Sequence, residues 1–146
     1  MIYLDTSALV KLYLLESDSH VVQELISAQH DPLPVWELQE MELTNALRLK
    51  VFWGEISLTD SNRQLELLEQ RKEKGHYYFP DIDRAALFTT FKRLSDDTPE
   101  LGCRTLDIMH VACAVQLGPD LFVSFDSRQR QLATKAGLTV HGIGGF

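Results

Sequence analysis

The sequence has few cysteines, no excess of basic residues and no long apolar run, and each shortage narrows what the protein can be. Its 146 residues include two cysteines, Cys103 and Cys113. Because Cys113 lies in an apolar helical pattern, we expect it to act as a small buried hydrophobe, and so few cysteines fit a reducing cytosol. No apolar run approaches the roughly 20 residues of a membrane span, and no basic segment followed by an apolar one opens the chain. We therefore expect a cytoplasmic protein that does not associate with a membrane.

The charge balance is acidic, with 14 Lys and Arg residues against 21 Asp and Glu residues and a formal net charge of -7. This balance excludes a protein that holds nucleic acid by net charge alone, so any such contact must be local or assisted by a metal. The sequence contains no His/Cys spacing typical of zinc, no Walker loop and no GxGxxG fingerprint. It also lacks repeats, linkers and low-complexity segments, and its length fits a single domain over residues 1–146.

Short apolar runs alternate with amphipathic patterns along the chain. We expect strands at 2–4, 33–36, 76–79, 121–125 and 138–141. We expect helices at 8–15, 19–28, 37–53, 57–74, 84–94, 105–117 and 127–136, and a polar loop at 96–99. Strands that alternate with helices indicate the α/β class. The expected architecture is a three-layer α/β/α fold, with a central parallel sheet of four or five strands wrapped by helices.

Three aspartates stand where an acid is unusual. Asp5 and Asp126 each follow an apolar strand. If the strands are parallel, both aspartates lie at the carboxyl edge of the sheet, which is where ligands bind in open α/β folds. Asp107 opens a helix whose following residues are mainly apolar, and the amino end of that helix favours its ionised form. The pattern therefore predicts three carboxylates near one ligand site.

Glu42 is a fourth candidate, and its periodicity supports two interpretations. Leu38 lies four residues before it, Ala46 four residues after it and Leu49 seven residues after it, which places its carboxylate on an apolar face of the helix at 37–53. By periodicity alone, however, an ordinary exposed glutamate beside an apolar stripe is the favoured interpretation.

The other polar candidates also have structural interpretations. Asp5, Asp107 and Asp126 can each cap a helix. His110, three residues after Asp107, fits a hydrogen-bonded core histidine better than a ligand or a base. The basic residues that either hold phosphates or form surface ion pairs of little consequence are Lys11, Arg104 and Arg128.

Converging carboxylates repel one another and are pushed towards protonation unless a cation neutralises them. Oxygen ligands suit Mg²⁺ or Mn²⁺, and a few carboxylates with water leave room for a substrate phosphate. Such a cation lowers the pKa of bound water and stabilises the charge that develops in phosphoryl displacement. The candidate acids therefore predict a Mg²⁺ or Mn²⁺ site that acts on a phosphate ester.

Four stretches of the sequence resemble, in order, the motifs of PIN-domain proteins, and in particular the VapC-type toxins of bacterial and archaeal toxin–antitoxin pairs. The stretches are 1–11, 42–47, 104–112 and 123–128, the last followed by a matching segment at 133–138. One such motif is weak evidence, whereas four in the right order at the right separations are specific. The resemblance covers essentially the whole chain, although residues 60–100 carry no motif that matches residue by residue.

The resemblance implies a set of four metal-binding and catalytic acids, and it alone selects Glu42 over Glu40. We call this set the acidic quartet: Asp5, Glu42, Asp107 and Asp126. The residues that would support the acids or bind substrate are Thr6, Ser7, Arg104, Ser124 and Arg128. Ser124 stands where many relatives have Thr, a departure that keeps the hydroxyl.

The activity that the resemblance implies is metal-dependent endoribonuclease cleavage of RNA, often of structured RNA such as tRNA. Similar proteins are toxins that a small VapB-like antitoxin neutralises, and they are often homodimers. The acidic charge balance adds a hypothesis of its own, because it would let a basic antitoxin segment occupy the site.

Two other functions stay open at this point. A haloacid-dehalogenase-like phosphatase also begins with a strand followed by Asp and uses Mg²⁺, but Ser7 occupies the position of its second acid. A non-catalytic PIN module would bind RNA without cleaving it, and a complete set of acids argues against that loss of function.

Overall fold

The computed structural model describes residues 1–141, and the chain divides into two compact units. The first comprises Met1–Ser7 and the described chain from Asp81 onward, and the second comprises Ala8–Pro80. In chain order the elements are β1 (Ile2–Leu4), α1 (Thr6–Leu9), α2 (Ser19–Ser27), β2 (Leu33–Pro34), α3 (Glu37–Phe52), α4 (Leu58–Glu73), β3 (Tyr77–Tyr78), α5 (Arg84–Ser95), α6 (Thr98–Leu101), α7 (Thr105–Leu117), β4 (Leu121–Val123) and α8 (Ser127–Lys135). The assignment of the whole chain to one domain stays a prediction.

The first unit is built around the parallel pair of β1 and β4. Ile2 lies opposite Leu121 and Leu4 lies opposite Val123. The Asp5 N–H then donates to the Val123 carbonyl over 3.1 Å, so the pairing continues one residue past β1. Because the strands are parallel, their carboxyl ends lie at the same edge. The segment that follows β1 and the segment that follows β4 therefore start near each other.

Buried aromatic rings of the two strands and the largely buried helix α7 contribute to the core of this unit. The rings of Tyr3 and Phe122 are fully buried and stack with their centroids 5.5 Å apart. Helix α7 packs against α5 and α8. On its other side, β4 makes a single parallel bridge between Phe122 and Val140, where a strand at 138–141 was expected.

The second unit contains the parallel pair of β2 and β3 and the packed helices α3 and α4. Ser57 caps α4, since its side chain accepts a 3.0 Å hydrogen bond from the Asp60 N–H. Gly54 follows α3 with φ of 72° and Gly75 follows α4 with φ of 79°. Glycine adopts this left-handed conformation without strain, so both residues end their helices as the sequence predicted.

The structure departs from the predictions in three further places, besides the single bridge found where a strand at 138–141 was expected. The described strands pair as two two-stranded parallel sheets, whereas one sheet of four or five strands was expected. The helix expected at 8–15 is wrong in its bounds: α1 is followed by a short 3-10 turn, Val10–Leu12, and Leu15 is 93% exposed. The loop expected at 96–99 contains the start of α6, because Pro99 fits the first turn of a helix. No helix among the described residues is both long and apolar enough to cross a membrane.

Candidate functional site

Asp5 is a buried carboxylate with two hydroxyl donors. It follows β1 directly and is only 3% exposed. The Ser7 hydroxyl donates to Asp5 Oδ1 and the Ser124 hydroxyl donates to Asp5 Oδ2, each over 2.7 Å. Burial of a carboxylate is unfavourable unless hydrogen bonds or charges compensate it, and these two bonds fix the orientation of its oxygen atoms.

The same two hydroxyls also hold the loop that follows β4. Ser124 Oγ accepts a 3.1 Å hydrogen bond from the Asp126 N–H, and Ser7 Oγ accepts a 2.9 Å bond from the Phe125 N–H. Each serine therefore connects Asp5 to the backbone that leads into α8. The parallel pairing of β1 and β4 makes this possible, because it brings both strand ends to one edge.

Asp126 is the N-cap of α8, as one interpretation of the sequence proposed. Its Oδ1 atom accepts a 2.9 Å hydrogen bond from the Gln129 N–H. Its Oδ2 atom accepts no hydrogen bond from any residue between 1 and 141. The capping role is therefore real, and it leaves one carboxylate oxygen available to a ligand.

Asp107 also has a capping role, at the start of α7. Its Oδ2 atom accepts a 3.2 Å hydrogen bond from the Arg104 N–H, and the Arg104 side-chain Nε lies 3.5 Å from the same oxygen. The Asp107 side chain is 15% exposed, whereas the Arg104 side chain is 79% exposed. Because Arg104 is so exposed, its charge compensates that of Asp107 only weakly.

Gln129 connects the two aspartates, and the sequence analysis missed it. Besides the backbone bond to Asp126, its side-chain Nε2 lies 3.4 Å from Asp107 Oδ1 and 3.5 Å from the Asp107 carbonyl. Gln129 is 1% exposed. A signal was present, because Gln129 precedes Leu132 and Ala133 by three and four residues and so shares their buried face of α8.

The oxygen atoms of these residues are ligands of the kind that a hard cation binds, but they do not enclose a metal position. No group of three His, Cys, Asp or Glu side chains is arranged to hold a metal ion in the described part of the chain. Hydroxyl and amide groups instead space the carboxylates. The available atoms are all oxygens, and Gln129 Oε1 is buried with no hydrogen-bond partner there. Mg²⁺ binds a few carboxylates and keeps several water molecules, which suits this open arrangement.

Glu42 belongs to the second unit, on α3, and is half-buried. The expectation that it lies on an apolar face is only partly correct, because Leu38 is 6% exposed but Leu49 is 38% exposed. Its neighbour Glu40 has a clear structural partner, since Lys72 Nζ lies 2.9 Å from a Glu40 carboxylate oxygen. This ion pair gives Glu40 a structural role between α3 and α4.

His110 is a core histidine, which confirms the prediction from the sequence. It is 2% exposed, its Nδ1 lies 2.9 Å from the Tyr3 hydroxyl and its Nε2 lies 3.3 Å from the Thr6 hydroxyl. Thr6 therefore contacts a core residue of α7. The histidine links β1 and the start of α1 to α7 through both of its ring nitrogens.

The remaining basic candidates are placed differently from one another. Arg128 is exposed, and its carbonyl accepts a hydrogen bond from Cys103 Sγ over 3.4 Å. Lys11 is buried in the second unit, where its Nζ donates to the Ser17 carbonyl over 2.6 Å. Arg104 and Arg128 are thus the exposed basic side chains of the first unit that flank the aspartates in sequence.

The negative charge of this site acts on a nearby thiol. Burial raises the pKa of Cys103, and the carboxylates of Asp107 and Asp126 raise it further. Cys113, the other thiol, is fully buried, and burial raises its pKa to about 12. Both cysteines are free thiols.

Comparisons with known protein families, sequences and structures agree with one another. The PIN domain family model matches residues 2–135. Ribonuclease VapC46 of Mycobacterium tuberculosis is 30% identical over 141 residues, which cover 95% of each chain. Two solved structures are similar over nearly their whole length: FitAcB from Neisseria gonorrhoeae, with 17% identity, a TM-score of 0.66 and 96% of each chain covered, and VapBC-1 from nontypeable Haemophilus influenzae, with 18% identity, a TM-score of 0.64 and 97% of each chain covered. At these identities the two structures show a shared fold.

Proposed function

The chain belongs to the PIN domain family, as a VapC-type ribonuclease toxin of a toxin–antitoxin system, and from this premise we propose that its acidic quartet holds Mg²⁺ or Mn²⁺ and cleaves RNA. The observation that carries the proposal is the environment of Asp5. A buried carboxylate with both oxygens oriented by hydroxyls, at the same strand edge as Asp126, suits a metal ligand. This is the role that we assign to Asp5 in place of a nucleophile.

Each residue of the site has a distinct task in this proposal. The acidic quartet would hold the cation, which would lower the pKa of bound water and stabilise the negative charge of the leaving oxygen. Ser7 and Ser124 hold Asp5 in place, and Thr6 supports the same turn through its contact with His110. Arg104 and Arg128 contribute exposed positive charge for substrate phosphates, which an acidic protein must supply locally.

The family membership also supports a proposal on the fold and a proposal on the cellular compartment. The fold would be a three-layer α/β/α PIN fold. The protein would act in the cytoplasm, where its RNA substrate is found.

The substrate that we propose is structured RNA, with tRNA as the first class to test. Residues 60–100 carry no motif that matches residue by residue, so this segment is where target choice would differ from that of relatives. Sequencing the 5′ ends of cellular RNA after brief expression would identify the targets and the cut site. Ends that do not differ from those after expression of an Asp5→Asn variant would contradict the proposal.

Cleavage by purified protein tests the role of Asp5 directly. Asp5→Asn keeps the size of the side chain and removes one ligand charge, so we expect RNA cleavage in Mg²⁺ or Mn²⁺ to fall by more than about 100-fold. Calorimetric titration with Mn²⁺ separates this function from a non-catalytic RNA-binding module, because such a module has no need of the cation. Unchanged cleavage by Asp5→Asn would overturn the assignment.

We also propose a VapB-like antitoxin as the partner and a homodimer as the assembly. The similarity in fold to VapBC-1 supports the partner, and the net charge of -7 would favour a basic segment in the acidic site. Co-expression with the product of the reading frame next to this gene tests the partner. A double variant at Asp5 and Glu42 that captures this product as well as wild type would exclude the acids as its docking site.

A further inference from the structure

The structure places a buried amide between two acids of the quartet. Gln129 donates from its backbone N–H to Asp126 Oδ1 over 2.9 Å, and its side-chain Nε2 lies 3.4 Å from Asp107 Oδ1 and 3.5 Å from the Asp107 carbonyl. We propose that Gln129 is a positioning residue of the metal site, which sets the spacing of Asp107 and Asp126 and accepts a hydrogen bond from the water shell of the bound cation. This inference rests on the proposed function, because it concerns how the same site binds its metal.

The first part of the inference follows from electrostatics. Asp107 and Asp126 start different helices, α7 and α8, and both carry negative charge into the same region. Without a cation, two nearby carboxylates repel each other. Gln129 gives one N–H to each of them and is itself neutral, so it holds both side chains in place without neutralising the site. A cation therefore meets carboxylates that are already oriented.

The second part follows from the other end of the amide. Gln129 is 1% exposed, and its Oε1 atom is buried without a hydrogen-bond partner among residues 1–141. A buried acceptor that lacks a donor is unfavourable, because it loses its hydrogen bonds to water and gains none in the fold. The amide cannot be reversed to relieve this, because its oxygen would then face Asp107 Oδ1. A Mg²⁺ ion keeps several water molecules, and a water molecule of that shell would supply the donor that Gln129 Oε1 lacks.

A purely structural role is the competing explanation, since Gln129 also holds α8 against α7. The two explanations differ in what they predict for metal binding. A structural glutamine affects the stability of the fold and leaves the affinity for a cation unchanged. A positioning residue affects the affinity as well, even when no RNA is present.

Calorimetric titration of the purified full chain with Mn²⁺ alone separates these explanations. Gln129→Met keeps the length of the side chain and removes both the donor and the acceptor, so we expect the Kd for Mn²⁺ to rise by about 10- to 100-fold. Gln131→Met is the matched control, because Gln131 is an exposed residue of the same helix. The Gln131→Met variant should bind Mn²⁺ with the same Kd as wild type.

Gln129→Glu gives a second readout that does not depend on the stability of the first variant. It keeps the shape and replaces the amide donor with a third negative charge beside Asp107 and Asp126. We expect a lower Tm without metal and a larger rise in Tm on addition of Mn²⁺ than wild type shows, because the cation relieves more repulsion.

The outcomes distinguish this inference from the function on which it rests. A Gln129→Met variant that binds Mn²⁺ with the wild-type Kd, or a Gln129→Glu variant with the wild-type rise in Tm, would overturn the positioning role alone. Absence of Mn²⁺ binding by wild type would overturn the metal-dependent function, and this inference with it.

Discussion

The Ser124 hydroxyl donates a 2.7 Å hydrogen bond to Asp5 Oδ2 and accepts a 3.1 Å bond from the Asp126 N–H. One fully buried side chain thus fixes a carboxylate that follows β1 and the first residue of the turn into α8. Ser124 and Asp5 are 119 positions apart in the sequence, and the parallel pairing of β1 with β4 brings them together. The orientation of Asp5 therefore depends on the fold as well as on its own position.

Removal of the Ser124 hydroxyl should affect both stability and catalysis. Ser124→Ala leaves Asp5 Oδ2 and the Asp126 N–H without this partner, so we expect the free energy of unfolding to fall by about 1–3 kcal/mol and cleavage to fall by about 10-fold or more. Urea denaturation and an RNA cleavage assay measure the two effects. Ser124→Thr keeps the hydroxyl and should retain activity, and Ser127→Ala, at an exposed position, should change neither quantity. A fully active Ser124→Ala would contradict the proposed orientation of Asp5.

His110 should contribute to stability rather than to the chemistry. Replacement by Leu leaves the Tyr3 and Thr6 hydroxyls without their contacts to the imidazole. We expect a loss of about 1–3 kcal/mol in the free energy of unfolding. A double-mutant cycle with Tyr3→Phe should give a coupling energy of about 0.5–3 kcal/mol, since the two side chains are in direct contact. Additive losses would show that the bond between Tyr3 and His110 contributes nothing measurable.

The buried thiol of Cys113 should make the fold sensitive to alkaline pH. Burial raises its pKa from 9.0 to about 12, so the folded chain keeps the thiol protonated at a pH where the unfolded chain releases the proton. The resulting stabilisation is complete below the unfolded pKa and is lost as pH rises towards the folded pKa. The difference in unfolding free energy between wild type and Cys113→Ala should therefore narrow by about 1.4 kcal/mol between pH 8 and pH 10. Urea denaturation at several pH values measures this, and parallel pH profiles would contradict it.

Glu42 and Glu40 offer a matched pair on one helix. Glu40 is engaged by Lys72 at 2.9 Å, whereas Glu42 is the residue that the family motif selects. We expect Glu42→Gln to lower RNA cleavage by more than about 100-fold because it removes a metal ligand. Glu40→Gln should lower the unfolding free energy by about 1 kcal/mol or less, because the ion pair is partly exposed, and should leave cleavage unchanged. If Glu40→Gln instead lowers cleavage and Glu42→Gln does not, the fourth metal ligand is Glu40.

Elements with a local signal could be predicted from the sequence. Helix α7 has the predicted bounds, 105–117, because an apolar run is followed by Gly118, which adopts φ of 63°. The shared edge of Asp5 and Asp126 followed from reading two apolar runs as parallel strands. In both cases neighbouring residues carry the information.

Features that depend on distant contacts could not be predicted. The helix expected at 8–15 ends early, and just beyond its 3-10 turn the Tyr13 hydroxyl makes a buried 2.7 Å bond to Tyr77. Periodicity gives no information on a partner 64 residues away. The role of Gln129 was hidden for a similar reason, since its contacts to Asp107 require α7 and α8 to pack together. Local patterns identified the three aspartates and the family resemblance selected Glu42, whereas packing determines what surrounds them.

Asp126 allows the capping role and the metal role to be separated by experiment. Asn caps helices as well as Asp does, so Asp126→Asn should keep the hydrogen bond to the Gln129 N–H and change the unfolding free energy by less than about 0.5 kcal/mol. It removes the charge, however, so cleavage should fall by more than about 100-fold. Asp83→Asn is the matched control, because Asp83 caps α5 through a 3.1 Å bond from the Ala86 N–H and should tolerate the change in both assays. If Asp126→Asn cleaves RNA like wild type, Asp126 serves only as the cap of α8. Loss of cleavage at unchanged stability would instead assign its charge to the chemistry, because the cap alone would survive the substitution.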